Sequence, residues 1–412
     1  MVDQLIERAA ILFEQKRYTD AEKIISEVLA AEPQNLDCLQ MLAEIKIQND
    51  EYTNALKIID NAIGQHPDYD VLFYTKSRIL FALEKIDEAL KTIDNAIELD
   101  PNDTNNYAFK GHILNIQKKF EDGLSFANMA LEIDPSNVFA LNVRSTALLK
   151  LNRKEDSFTT IEGALNEDPN NSYTHANYGW GLLEKGDVDK SLSHFSEALK
   201  QNPNNEYAQS GMAEALKSKY LIYKWFLKYA FWMESMSSKN QWVFIIGFYI
   251  GTKILRAIAK SNEFLQPYLT PIIILLAIFT FSTWVLVPIS NLLFRLNKYG
   301  KHLLTSEEIK SSNMVGISSL IMVLGLITLI FNADLGTLLI AFGFSMMVPL
   351  GKFYEKPVLF FKSYTIGMAL IGITALITYF ITSEMFNTFS FIYLISFIAY
   401  QWLANYMINK NS

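Results

Sequence analysis

The chain has 412 residues, 43 acidic and 36 basic, for a net charge of −7, and half of its residues are hydrophobic. Its single cysteine, Cys38, excludes a disulfide within the chain and reads as a small core or surface residue. The charge is unevenly divided: residues 1–217 carry 36 acidic and 21 basic side chains (net −15), residues 218–412 carry 7 and 15 (net +8), so the first part is no nucleic-acid binder and the two parts suit different solvents.

In chain order, the opening MVDQLIERAAILFEQKR has acids where a secretory leader is basic, and no unbroken apolar run. It reads as an amphipathic helix and not as a signal peptide, which leaves this part in the cytoplasm. From there to residue 205 the pattern is set by Pro33, Pro67, Pro101, Pro135, Pro169 and Pro203, each 34 residues after the last. A fixed period of this size marks a stacked repeat of helical hairpins. With each proline at position 32, position 8 reads Ala9, Ala43, Ser77, Gly111, Ser145 and Gly179. Position 20 reads Ala21, Ala55, Ala89, Gly123, Ser157 and Ser191, and position 27 reads Val28, Ala62, Ala96, Ala130, Ala164 and Ala198. Small residues there let paired helices cross closely, and the proline stops the second helix of each unit.

Period, small positions and stop signal together resemble the tetratricopeptide repeat: six units over residues 2–205 and a seventh first helix from about 205 to 217, with Ala213 and Leu216 at the expected offsets. The Trp and Tyr of the family's first helix are mostly replaced here by Leu, Phe or Tyr. The resemblance implies an all-α fold that begins with a right-handed superhelix of helical hairpins, whose first helices line a concave groove for a protein or peptide. The family's groove positions fall on Ile6 and Phe13, then Gln40, Glu44 and Gln48, then Tyr74, Arg78 and Phe81. Later units contribute Asn105, His112 and Asn115, then Phe139, Asn142 and Lys150, then Tyr173, Trp180 and Glu184. Rings interleaved with amides suit an extended peptide, although rings can equally pack between neighbouring repeats. Asp3, Glu14, Asp37 and Glu44 stand where a chaperone-type carboxylate clamp needs cations, so a cationic or apolar client fits better.

Residues 218–240 interleave Lys219, Lys224 and Lys228 with Tyr220, Tyr223, Trp225, Phe226, Tyr229 and Trp232. That mixture predicts an interfacial amphipathic helix, with Lys224, Trp225, Lys228 and Trp232 at the lipid–water boundary; a buried connector is the alternative. A membrane domain follows over 241–412. Apolar runs at about 242–259, 268–294, 314–331, 333–350, 364–381 and 389–408 predict six transmembrane helices in a bundle. Six spans place Arg295, Lys298, Lys301, Lys310, Lys352, Lys356, Lys362 and Lys410 on the side of a cytoplasmic N-terminus, as expected for the inner membrane of a bacterium with both termini inside. Lys253 and Arg256 make the first run the least regular; it either spans or re-enters, and the two cations either snorkel or form an anion or lipid-headgroup site. Thr305 and Glu308 are spaced as a capping box and predict the start of a short helix. Asn332 and Asp334 predict a tight polar turn, and Gly316, Gly325, Gly336, Gly343, Gly367 and Gly372 close helix packing. This half resembles, loosely, the tails of uncharacterised bacterial tetratricopeptide membrane proteins and brings no activity with it.

No enzyme is expected. Gly343-Phe344-Ser345-Met346 has the form of a rhomboid-type serine motif, but no histidine follows His302 to pair with it. His66, His112, His175, His194 and His302 have no metal-ligand spacing, no phosphate loop is present, and no cofactor is implied. The expected function is a membrane-anchored adaptor that binds a protein or peptide client, with membrane lipids as the other partner. The alternative is a membrane protein with its own lipid or small-molecule handling, regulated by the repeats.

Overall fold

The structure, a computed structural model, describes residues 2–295, 303–355 and 357–411. Lys298, Lys301, His302 and Lys356 lie outside the described residues, as does the side chain of Lys410. The fold is all-α: the described residues form twenty helices and no strand. They divide into two compact units, one of Met1–Lys185, Ser193–Asn205 and Glu234–Ser238, the other of Gly186–Leu192, Glu206–Met233 and Lys239–Ser412.

In the repeat region the first helices are α1 (Val2–Glu14), α3 (Leu36–Gln48), α5 (Asp70–Ala82), α7 (Thr104–Ile116), α9 (Val138–Lys150) and α11 (Ser172–Lys185). The second helices are α2 (Tyr18–Ala31), α4 (Tyr52–Gln65), α6 (Ile86–Leu99), α8 (Phe120–Ile133), α10 (Lys154–Glu167) and α12 (Val188–Gln201). Every start recurs after 34 residues, and each second helix stops two residues before its proline. The small positions lie at the helix crossings. Ser77 Oγ donates to the Ala89 carbonyl at 2.7 Å, and Ser157 Oγ to the Ser145 carbonyl at 2.8 Å. At the Gly111–Gly123 crossing, a Cβ on Gly111 would lie 2.9 Å from the Gly123 carbonyl oxygen.

Two local devices set the hairpins, the first of them absent where Tyr69 holds the cap position. Asn35, Asp103, Asn137 and Asn171 hold position 34, and their side chains accept from the amides of Cys38, Asn105, Ala140 and Thr174 at the start of the next helix. At the turn inside the hairpin, Lys16, Asp50, Glu84, Lys118 and Asn152 all take φ of 59–62°, and Gly186 stands at the same position of the sixth repeat with φ 95°. Two backbone bonds close this turn in the first five repeats: Lys118 N to Asn115 O at 2.9 Å and Lys119 N to Leu114 O at 2.9 Å in the fourth. They hold a left-handed residue that costs about 1 kcal/mol when it is not glycine.

The helices after the repeats are α13 (Glu206–Lys217), α14 (Leu221–Glu234), α15 (Ser238–Ser261), α16 (Gln266–Phe294), α17 (Ser306–Thr328), α18 (Ala333–Gly351), α19 (Val358–Thr382) and α20 (Thr388–Asn411), which lie in the second unit apart from Glu234 and Ser238. Five stretches, Lys239–Ser261, Gln266–Thr283, Ser306–Thr328, Ala333–Gly351 and Val358–Thr382, are long and apolar enough to cross a membrane; Val285–Phe294 and Thr388–Ala404 are shorter apolar stretches. Thr305 and Glu308 form a capping box, but the helix they start is not short: it runs 23 residues, because the apolar run directly continues the capped turn. α17 and α18 approach through small residues, with Ser318 Oγ donating to the Gly343 carbonyl at 2.6 Å and a Cβ on Gly343 set to lie 2.5 Å from Met322 N. Gly325, Gly336 and Gly372 also sit at close approaches, whereas Gly367 faces open space. Asn332 caps α18 by accepting from Leu335 N at 2.9 Å, and Tyr379 OH donates to the same side chain at 2.9 Å.

Candidate functional site

The period brings together side chains that are far apart in sequence. Tyr74 and Phe81 lie one turn and three turns along α5; both rings meet Phe109 of α7 in edge-type arrangements, with centroids 5.6 and 5.8 Å away. His112, one turn beyond Phe109, is 5.6 Å from Phe81 and 6.0 Å from Phe139 of α9. A continuous line of rings therefore joins the third, fourth and fifth repeats. Phe109 is buried, and Tyr74, Phe81, His112 and Phe139 are half-buried, so the line anchors neighbouring repeats and still presents ring surface. Burial pushes the His112 imidazole down to about 4, which keeps it neutral.

At one end of this line Arg78 Nη1 meets Glu44 of the second repeat at 2.5 Å, and its guanidinium lies 5.7 Å from the Tyr74 ring centre. Position 9 of α3 and α5 thus supplies a charge pair beside the rings. A second pair, Lys150 with Glu184 at 3.1 Å, joins position 13 of α9 and α11; both side chains are 12% exposed, and burial pushes the Glu184 carboxyl up against the opposing pull of Lys150.

Other expected groove residues are placed differently. Asn142 is 1% exposed; its amide donates to Val138 O and Thr174 Oγ1, both at 2.8 Å, and accepts from Asn177. Asn115 is buried as well and donates to Val143 O at 3.0 Å. Both amides bind the adjacent repeat and cannot serve a client, which corrects the expectation for these two positions. Asn105 remains exposed, accepting from Asn137 at 3.2 Å. Phe13 packs on Tyr18 of its own repeat at 5.5 Å, Trp180 stands edge-on to Phe195 at 5.7 Å, and Tyr173 is 41% exposed.

Sequence spacing missed Phe109, the hub of the aromatic line, because its position is not a groove position of the family. It also missed a histidine pair: His175 Nε2 donates to Pro169 O at 3.0 Å, so His175 Nδ1 accepts from His194 Nδ1 at 3.0 Å when both rings are neutral. Burial, then His175, push His194 below its ordinary value. Among the described residues no group of three or more His, Cys, Asp or Glu side chains is placed to hold a metal.

In the second unit, α14 buries Tyr223, Leu227 and Phe231, a stripe of period four, and exposes Leu221, Ile222 and Trp225 on the remainder. Lys228 is exposed and Lys224 half-buried, while Trp232 is 46% exposed and stands edge-on to Phe244 at 4.9 Å. Lys217 is nearly enclosed, 2.9 Å from Glu214, which also accepts from Tyr223 OH at 2.6 Å; burial, then Glu214, push the Tyr223 hydroxyl far up. Lys253 and Arg256 on α15 are both exposed, with Lys253 Nζ 5.1 Å from the Tyr249 ring centre.

A family model of tetratricopeptide type, described as "Anaphase-promoting complex, cyclosome, subunit 3", matches residues 14–96, within the first three hairpins. The chain carries a tetratricopeptide-repeat segment. No curated protein matches the chain. Solved structures similar to the repeats include PilF of Pseudomonas aeruginosa, at 14% identity over 52% of this chain and 97% of that one, with a TM-score of 0.41. YrrB, titled a TPR protein with an unusual peptide-binding site, is 15% identical over 45% of this chain and 95% of its own, with a TM-score of 0.32. MamA from Desulfovibrio magneticus RS-1, from residue 41 to its end, is 16% identical over 41% of this chain and 96% of its own, with a TM-score of 0.33. With TM-scores below 0.5, these likenesses add nothing to the assignment, which rests on the hairpin period and the family match. The tetratricopeptide segment is a protein-interaction fold.

Proposed function

We propose that the chain is an adaptor anchored in a membrane, whose tetratricopeptide groove receives an apolar segment of a protein or peptide client. The observation that carries this reading is the line Tyr74–Phe81–His112–Phe139, bordered by Arg78 and Glu44. Its half-buried rings sit on a rigid scaffold, so a client's side chain displaces water from them at little ordering cost. The domain division supporting this function is a repeat segment over residues 1–217, an interfacial helix over 218–240 and a membrane domain over 241–412. Six spans in a bacterial inner membrane, with the repeats and both termini in the cytoplasm, give the basic loops their side. Tyr173 and Trp180 extend the groove, and Trp225, Lys224, Lys228 and Trp232 hold the interfacial helix at the headgroups.

In-cell crosslinking from a photoreactive phenylalanine at Tyr74, read by mass spectrometry, tests the reading. A discrete client protein whose adduct disappears in the Phe81→Ala, Arg78→Glu double variant supports it. Adducts confined to the chain's own helices would overturn it. The alternative, an activity of the membrane half, is not favoured at Lys253 and Arg256, whose exposed side chains enclose no site.

A further inference from the structure

A cavity of about 320 Å³ lies among α18, α19 and the turn and first half of α20. Its wall on α18 extends from Thr337 to Ser345, about 12 Å along the helix, and on α20 from Ser390 to Phe397, about 10 Å, with Met385 and Phe386 of the preceding turn closing one end. Those lengths fit within one leaflet of a bilayer, about half of its ~30 Å hydrocarbon core. The cavity opens at the bundle surface, where Phe391 and Leu394 on its wall are 55% and 53% exposed.

The wall carries four hydroxyls, and none has a proton to offer a ligand. Thr337 Oγ1 donates to Ala333 O at 2.8 Å and Ser390 Oγ to Asn387 O at 2.7 Å. Ser345 Oγ donates to Ala341 O at 2.6 Å, so Tyr393 OH, 2.6 Å from Ser345 Oγ, spends its own proton there. The remaining lining residues are Leu, Ala, Phe, Gly and Met, so the cavity suits an apolar occupant. An engineered cavity of about 150 Å³ takes benzene, so this volume suits a chain of roughly a dozen carbons. Spread along 12 Å of helix it is about 6 Å across, too narrow for a helix of 10–12 Å diameter.

We propose that this cavity binds one acyl chain of a membrane lipid. The proposal rests on the reading that these helices cross a membrane. A chain seated there restores the dispersion contacts that an empty apolar cavity forfeits, and it enters from the lipid phase without desolvating a headgroup.

The test reconstitutes the full-length chain in phosphatidylcholine vesicles containing rising fractions of a phosphatidylcholine with a mid-chain diazirine, with residue-level mass spectrometry after irradiation. Leu376 and Phe397, on the cavity wall, should label with a yield that saturates at low probe fraction. Leu320 and Leu324 on α17, 64% and 57% exposed, should label in linear proportion to the probe. Ala341→Trp, which places an indole in the cavity, should cut labelling of Leu376 and Phe397 about tenfold, as expected for loss of two buried methylenes, and leave α17 unchanged. Linear labelling of the cavity wall, or no effect of the tryptophan in a protein that still labels on α17, would overturn the proposal. If Ala341→Trp fails to insert, the saturation curve of the wild-type chain decides alone. Absence of labelling on α17 as well would instead sink the membrane reading beneath it.

Discussion

His112 tests the aromatic line without a client. Its imidazole titrates at 6.5 in an unperturbed chain and is pushed down to about 4 by burial in the fold. Between these values the unfolded chain holds a proton that the folded chain does not, so stability rises with pH across the window and is lost as pH falls from 6.5 toward 4. For this shift the loss between pH 7.5 and pH 5 is about 2 kcal/mol, which the partial exposure of the ring reduces to about 1–2 kcal/mol. His112→Phe keeps a ring among Phe81, Phe109 and Phe139 and removes the proton. Native-state hydrogen exchange of the full chain reads local opening of α7 and α8, which a repeat array permits one unit at a time. The opening free energy of these helices should fall by about 1–2 kcal/mol more in the wild type than in His112→Phe over that pH range. Carboxylates common to both proteins cancel in the difference. Equal pH slopes would mean that His112 is solvated and that the line of rings is not the packed surface described.

Other perturbations probe separate links. Lys118→Gly removes a left-handed lysine at φ 61° and should stabilise α7 and α8 by about 0.5–1 kcal/mol in the same exchange measurement, the gain in backbone strain exceeding glycine's entropy. Glu44→Arg should destabilise the second and third repeats by about 1–3 kcal/mol, by leaving Arg78 beside a like charge in a partly buried site, and Arg78→Glu added to it should recover most of the loss, as the thermal midpoint of the purified chain would report. Gly343→Val forces a side chain against the Met322 backbone and should cost about 1–3 kcal/mol, seen as a lower unfolding temperature in detergent; Gly367→Val, with nothing within 4 Å, should leave it unchanged.

The helix starts were legible because one rule is written six times: a proline at position 32, an Asn or Asp at most position-34 caps, and small residues at positions 8, 20 and 27. The left-handed turn at position 15 was not legible, since Lys, Asp, Glu, Lys and Asn have no common chemistry there; the backbone of the hairpin imposes it. The groove shows the same limit from the side-chain end. Tyr74 and Asn142 both occupy position 5, and Phe81 and Asn115 both occupy position 12. The rings lie against Phe109 of the next repeat and stay half-buried, whereas the short amides are enclosed and donate to the neighbouring repeat's hydroxyl or carbonyl. Position in the repeat thus fixes where a Cα lies, and the reach of the side chain decides whether it keeps exposed surface or is enclosed by the next hairpin. In the apolar half even the Cα positions are less constrained by sequence, because a run of apolar residues sets a helix's length without setting its rotation. The cavity among α18, α19 and α20 depends on which small residues, Ala341, Gly372 and Ala375, share a side. Only packing determines that, so the place in this half best suited to hold a ligand leaves no motif in the chain.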